Sequence, residues 1–315
     1  MEKKYAGIDI SKNNLDVAIH NSEKQWRFNN NHAGINQMCK LLIELDPAIV
    51  VFEATGGYEI PVYASLEEKG IPVALINPRQ IRDFAKATGK LAKTDILDAR
   101  AIAHFAAALN PTPRPLSENQ EMKDIVTRRI QIMQMIVAEK NRLRSATKSM
   151  KVRIQAHIKW LEKEIDDIDQ KIRRHIKENP DWKEKDKILQ SIPGVGPVLS
   201  VTLLAGLPEL GKLDRKKIAA LTGLAPLNCD SGTKHGKRII WGGRAKVRSM
   251  LYMGTLVAIR HNPIISAFYQ RLCSFGKPKK IAITACMHKL LNIANAMMRS
   301  RVPWKYATLC INVIN

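Results

Sequence analysis

Short apolar blocks separated by polar turns run through the first hundred residues, and their period changes along the way. Residues 5–10 and the run Leu15-Asp16-Val17-Ala18-Ile19-His20 read as strands. The polar turn Ser11-Lys12-Asn13-Asn14 joins them as a hairpin, and Gln25–Phe28 gives a short third strand. Over 34–45 the apolar positions Ile35, Met38, Leu41, Leu42 and Leu45 fall at helical spacing. Ile49-Val50-Val51-Phe52 is apolar at every position, as a strand covered on both faces would be. A helix near 60–69 ending at Gly70, a strand over 72–76 and a helix after Pro78 complete the series.

The pattern then changes. Pro111-Thr112-Pro113-Arg114-Pro115 is a stiff linker, and residues 116–178 hold no proline or glycine. Within them Ile154, Ile158, Leu161, Ile165, Ile168, Ile172 and His175 alternate by four and three. That spacing fits an antiparallel helix pair or an oligomeric coiled coil, and equally two amphipathic helices packed on their own domain. Pro193-Gly194-Val195-Gly196-Pro197 lies between two apolar helices and reads as a helix-hairpin-helix. Residues 223–243 form a polar, Gly-rich loop, too long for a mere connection. Helices follow near 244–260, 263–274 and 281–299. The expected domains are 1–110, a helical coiled-coil segment over 116–180, and a mainly α domain over 185–315.

Charge separates these regions further. Residues 1–108 hold 13 Lys and Arg against 13 Asp and Glu, while 109–315 hold the remaining 38 against 16, the whole formal net charge of +22. A charge spread over some 200 residues points to a polyanion, nucleic acid first of all, rather than to a short basic tail. A merely solubilising basic surface is the bland alternative. The five cysteines are odd in number and lack metal-ligand spacing, against a disulfide framework or a zinc site. Glu2-Lys3-Lys4 leads straight into a strand, and no apolar stretch reaches 18 residues without a charge. No membrane contact and a cytoplasmic location are expected.

The predicted order βββαβαβα is that of the ribonuclease-H-like α/β fold, whose central strand tips carry metal ligands. Asp9 ends the opening strand and Glu53 ends the run 49–52. Asp95 and Asp98 stand three apart at the start of a helical pattern, and so on one helix face. Singly, each has a bland reading as a strand-end, loop or first-turn acid. Together they form a cluster that is very unfavourable unless cations neutralise it, and two divalent metals about 4 Å apart would do so. Asp16, Glu59 and Asp83 lack such placement and are expected at the surface.

Candidate nucleic-acid contacts follow from the basic runs. Arg128, Arg129, Lys140, Arg142, Arg144, Lys148, Lys151 and Arg153 fit a helix lying along phosphates, or else a solvated face. Gly194 and Gly196 leave backbone N–H groups to hold a phosphate without reading sequence, though helical turns use glycine anyway. Ser231 stands beside Gly232 among Lys234, Lys237 and Arg238, with Arg244 just beyond. Its hydroxyl could attack a phosphate given a metal or base nearby, or could simply bond locally. Cys229 competes, but thiols are poor attackers of phosphodiesters. Trp241 either stacks on a base or packs. His235, His261 and His288 lack metal-ligand pairing.

Several motifs in order resemble one family. They are Gly7-Ile8-Asp9-Ile10-Ser11-Lys12, Glu53-Ala54-Thr55-Gly56, Asn77-Pro78, Lys93-Thr94-Asp95 with Asp98-Ala99-Arg100, Ile192-Pro193-Gly194-Val195-Gly196, Ala220-Leu221-Thr222-Gly223-Leu224, Ser231-Gly232 and Leu251-Tyr252-Met253. Across nearly the whole chain the sequence resembles the DEDD transposases of bacterial insertion sequences, relatives of the Piv-type DNA invertases. The resemblance implies a RuvC-like first domain, a coiled-coil middle and a C-terminal transposase domain. It implies that Asp9, Glu53, Asp95 and Asp98 bind Mg²⁺, as a pair of ions, with Mn²⁺ a substitute, and that Ser231 is the nucleophile joined to DNA. It implies donor and target DNA, a non-coding bridge RNA as guide, dimeric to tetrameric assembly, and action at the nucleoid. The runner-up is a RuvC-type metal-dependent nuclease acting by activated water, and a third reading is a non-enzymatic nucleic-acid binder on an inactive fold, against which the four intact acids count. No GxxxxGK[ST] loop is present, which fits exchange without ATP.

Overall fold

The structure, a computed structural model, describes residues 3–89, 95–113, 120–227, 236 and 238–304, with the side chains of 95–97 excepted. The chain divides into two compact units, Met1–Glu118 and Asn119–Asn315.

The first unit is a five-stranded mixed sheet in the order β3-β2-β1-β4-β5. β1 (Tyr5–Ile10), β2 (Asn14–Ile19) and β3 (Gln25–Asn29) form an antiparallel meander. β4 (Ile49–Glu53) then pairs parallel to β1, and β5 (Val73–Ile76) parallel to β4. This order and direction make a ribonuclease-H-like sheet. Alternate side chains of a strand face opposite ways, and the two cores show the result. Ile8, Val50 and Phe52 pack with Met38 and Leu42 of α1 (His32–Leu45) and Leu66 of α2 (Ile60–Glu68). Ile49, Val51 and Ala74 pack with Ile81 of α3 (Pro78–Ala87) and with Ile102 and Phe105 of α4 (Asp95–Leu109). Burial on both faces explains the unbroken apolar run at 49–52.

One glycine sets how closely α4 lies on this sheet. A Cβ on Gly7 would sit 2.3 Å from the Ala103 nitrogen and 2.5 Å from the Ala99 carbonyl oxygen. The helix answers with small residues there, Ala99, Ala103 and Ala106, all buried.

The second unit is almost entirely helical. α5 (Gln120–Ser145) and α6 (Lys148–Glu178) run antiparallel, as the ion pairs Arg129–Asp169 and Lys140–Glu162 on either side of one turn require. The heptad stripe is therefore covered by its own chain. Leu161, Ile165, Ile168 and Ile172 share one core with Val126, Ile132 and Ile136 of α5. The same core runs on through α7 (Pro180–Gln190), α8 (Pro197–Gly206), α9 (Arg215–Thr222), α10 (Ala245–His261), α11 (Pro263–Ser274) and α12 (Lys279–Ser300). The break at 180–185 is thus a bend and not a change of core: the Asn179 side chain accepts from the Trp182 N–H to start α7, and Trp182 is buried against the stripe. Among the described residues α12 alone is long and apolar enough to cross a membrane, yet Leu290, Leu291, Ala294 and Met297 bury it in this core.

Candidate active site

Ile8 pairs with Phe52 across the parallel β1–β4 ladder, so Asp9 and Glu53 are the next residues at neighbouring strand ends. They share strand parity with Gly7 and Val51, which face α4. Both are half-buried. α4 begins at Asp95, and Asp98, also half-buried, precedes the Ala99 carbonyl that lies over Gly7. Backbone geometry thus brings Asp9, Glu53 and the first turn of α4 to one edge of the sheet. The Asp95 side chain lies outside the described residues, and among those described no three His, Cys, Asp or Glu side chains already form a metal cage. The donors themselves fit a hard divalent cation: they are all carboxylates, drawn from separate elements at one edge.

Two acids expected at the surface are buried. Asp16 lies opposite Asp9 in the β1–β2 ladder and is held in a fork by Arg27, at 2.7 and 3.2 Å, from the next strand. Pairing with a planar guanidinium is what makes burial of that carboxylate tolerable. Glu59 is buried because Gly56 and Gly57, with φ of 84° and 125°, turn the chain back after β4. It accepts from the Thr55 N–H at 3.2 Å, the Thr55 hydroxyl at 2.8 Å and the Gly57 N–H at 2.8 Å. Burial alone raises its pKa. The backbone N–H of Glu59 itself and of Gly57, with the Thr55 hydroxyl and N–H, outweigh that and hold it below the ordinary value. Glu59 therefore shapes the loop that leaves Glu53. Asp83 is at the surface, in an exposed pair with Arg79.

Ser231, Lys234, Lys237, Cys229 and His235 lie outside the described residues. The root of their loop is described. Pro226–Leu227 (β6) pairs antiparallel with Ile239–Ile240 (β7). Below it Gly223 crosses the pair Gly242-Gly243 with no room for a side chain: a Cβ on Gly223 would be 2.2 Å from the Gly242 oxygen, and one on Gly243 2.2 Å from the Gly223 nitrogen. Arg248 donates to the Thr222 carbonyl at 3.1 Å and to that of Gly242, tying the two limbs together. Arg244, expected on nucleic acid, instead forks onto Glu209 and donates to the Gly206 carbonyl at 3.0 Å. It faces inward because it opens α10, where it can reach the end of α8. Arg248 was not anticipated; its signal was the pair Gly242-Gly243, five to six residues before it.

The other candidate contacts divide in two. Arg129 sits on the buried stripe, three residues from both Val126 and Ile132, and forks onto Asp169 at 2.6 and 3.0 Å. It is a structural pair, not a phosphate contact. Lys140 and Arg142 are exposed and pair with Glu162 and Glu139, contacts that contribute about 0–1 kcal/mol and exchange freely. Arg128, Arg144, Lys148, Lys151 and Arg153 are exposed, the last four around the α5–α6 turn. Gly194, at φ 102°, packs on α10, where a Cβ would lie 2.4 Å from that of Ala258. Gly196, at the start of α8, is exposed with nothing within 4 Å of such a Cβ. Arg238 and Trp241 are exposed. His261 is exposed, and His288 is half-buried with its pKa lowered by burial and then by Arg215.

The first unit is thus a ribonuclease-H-like sheet with acids at its central strand ends, and the whole net positive charge lies in the residues beyond it. A transposase family model of the DEDD IS110 type matches residues 6–151, and a second, the transposase IS116/IS110/IS902 family, matches residues 186–270. The chain belongs to the IS110 family of transposases. The pilin gene-inverting protein of Moraxella bovis is 28% identical over 96% of this chain and 98% of its own length. The transposase for insertion sequence element IS1328 of Yersinia enterocolitica is 23% identical over 72% of this chain and 75% of its own. The RuvC structure of Thermus thermophilus aligns with 35% of this chain and 98% of its own at 17% identity, with a TM-score of 0.26.

Proposed function

We propose that the protein cuts and rejoins DNA strands through a serine-linked intermediate, with Asp9, Glu53, Asp95 and Asp98 holding two Mg²⁺ ions and Ser231 as nucleophile. The observation that carries this reading is the placement of Asp9 and Glu53 at adjacent strand ends beneath the first turn of α4. Bound metal would supply charge neutralisation and a lowered pKa for the attacking hydroxyl. The Ser231 oxygen attacks a backbone phosphorus, a Ser–O–P bond forms, and a deoxyribose hydroxyl leaves with the proton. Attack by another strand's hydroxyl reverses the step and rejoins DNA. The bond energy is kept in the phosphoserine, so no ATP is needed.

The exposed cations around the α5–α6 turn (Arg144, Lys148, Lys151), with Arg128, the N–H groups at Gly196, and Lys234, Lys237 and Arg238 of the serine loop, then serve as backbone contacts. Following the family resemblance, the nucleic acid held includes a non-coding guide RNA as well as donor and target DNA. The enzyme works as a homo-oligomer, dimer to tetramer, on nucleoid DNA in the cytoplasm. The second reading is a RuvC-type nuclease that activates water, favoured by the same carboxylate edge. A denaturing gel of labelled donor DNA separates them. Wild type should give a protein–DNA adduct and Ser231→Ala none, with DNA and RNA binding unchanged. An adduct that persists in Ser231→Ala means another nucleophile, Cys229 first, and cleavage without any wild-type adduct means the water mechanism.

A further inference from the structure

Between α4 and the end of β2 lies a cavity of ≈ 450 Å³ with an unusual lining. Arg100 and His104 come from α4, four residues apart and so on one helix face. His20 follows β2, and its ring stacks on that of His104, centroids 5.3 Å apart and planes within 4°. Phe84 meets the His104 ring edge-on at 5.0 Å. Arg100 donates one nitrogen to the Glu23 carbonyl at 3.1 Å, while its Nε is buried with no partner among the described residues. A guanidinium N–H kept from water without a partner is unfavourable, and a ligand oxygen would satisfy it.

The chemistry of that lining selects an anion. Arg100 carries a permanent charge, and the two stacked imidazoles offer ring N–H donors beside it. The same guanidinium excludes a cation from the histidine pair. Several closely spaced acceptor oxygens, as on a phosphate, match a fork of guanidinium donors beside imidazole N–H groups. The cavity lies away from the carboxylate edge. The His20 N–H bonds the Tyr5 carbonyl at the start of β1, four residues before Asp9 and so roughly 13 Å along the strand. Arg100, two residues beyond Asp98, projects about 200° further round α4.

We infer that this cavity holds a backbone phosphate of a bound nucleic-acid strand. The source of the phosphate rests on the reading of the protein as an enzyme acting on nucleic acid; the anion site does not. The test uses the full chain, ¹³C-labelled at histidine, in EDTA. Inorganic phosphate should shift the His20 and His104 signals saturably and leave the other histidines in place. A 12-nucleotide single strand should shift the same two signals and suppress the phosphate response. Arg100→Gln should raise the phosphate midpoint at least tenfold, Arg100→Lys by less, and His20→Gln should weaken it while keeping the spectrum of the fold. Asp9→Asn should leave the phosphate response intact even if cutting is lost. Unmoved His20 and His104 signals, or a midpoint unchanged in Arg100→Gln, overturn the site. A phosphate response that the oligonucleotide does not suppress makes it a free-anion site and overturns the assignment to a nucleic-acid backbone.

Discussion

Glu59 carries a testable pH signature. Its carboxyl sits below the ordinary value of 4.5 in the folded chain. A depressed folded pKa gives stability that is complete above the unfolded value and is lost as pH falls through the folded one. The melting-temperature gap between wild type and Glu59→Gln should therefore be constant near pH 7 and close as pH drops below about 4.5, and a gap that widens on acidification would refute the assignment. At the cutting edge, Asp9→Asn or Asp98→Asn should lower Mg²⁺-dependent strand cleavage by orders of magnitude, since bound metals supply several kcal/mol of charge stabilisation; circular dichroism should be unchanged. Wild-type cleavage by Asp98→Asn would mean the site is misassigned. Asp9 and Glu53 were legible because each ends a strand with a clear apolar pattern. Glu59 and Asp16 were not, because nothing periodic marks a carboxylate folded back by Gly56 and Gly57 or paired across a meander. Arg129 was legible in principle: its spacing from Val126 and Ile132 marks the buried stripe, but its charge reads as surface.

At the scale of elements, the serine loop is rooted by a backbone crossing that Arg248 ties shut. On the proposed serine mechanism, Arg248→Ala should reduce adduct formation at least about tenfold while DNA affinity changes little, because removing one positioning tie would displace Ser231 without removing a phosphate contact. Equal loss of affinity and adduct would make Arg248 a DNA contact instead. The α-hairpin shows where sequence reading runs out. Its stripe was plain, but a heptad stripe cannot say which surface covers it. The answer came from α5, whose own stripe is interrupted by the charge of Arg129.

For the whole molecule, the neutral first 108 residues and the +22 remainder predict a division of labour. Nucleic-acid affinity of the full chain should fall with salt at a log–log slope of about −5 or steeper, the release expected for six or more phosphates. Neutralising Arg144, Lys148 and Lys151 together should flatten that slope by about two to three. A slope that does not change would remove the hairpin end from the interface. The two-unit division was partly visible in the Pro-rich segment 111–115, whereas the continuity of the second core past Asn179 was hidden, since a proline bend looks the same inside a core as between cores.

Gly7 has an evolutionary corollary. Where a side chain fills a space too tightly, a neighbour can shrink and relieve it. Here the neighbours are the main-chain atoms of Ala99, Ile102 and Ala103, which every amino acid possesses. No second substitution can make room, so damage at this position has no suppressor within the contact and only reversion repairs it. Gly7→Ala should accordingly lose about 1–3 kcal/mol of stability and shift the first turn of α4 off the strand ends. A suppressor screen on transposition should then return true revertants to glycine, and a recurrent second-site rescue in α4 would show that the helix can slide.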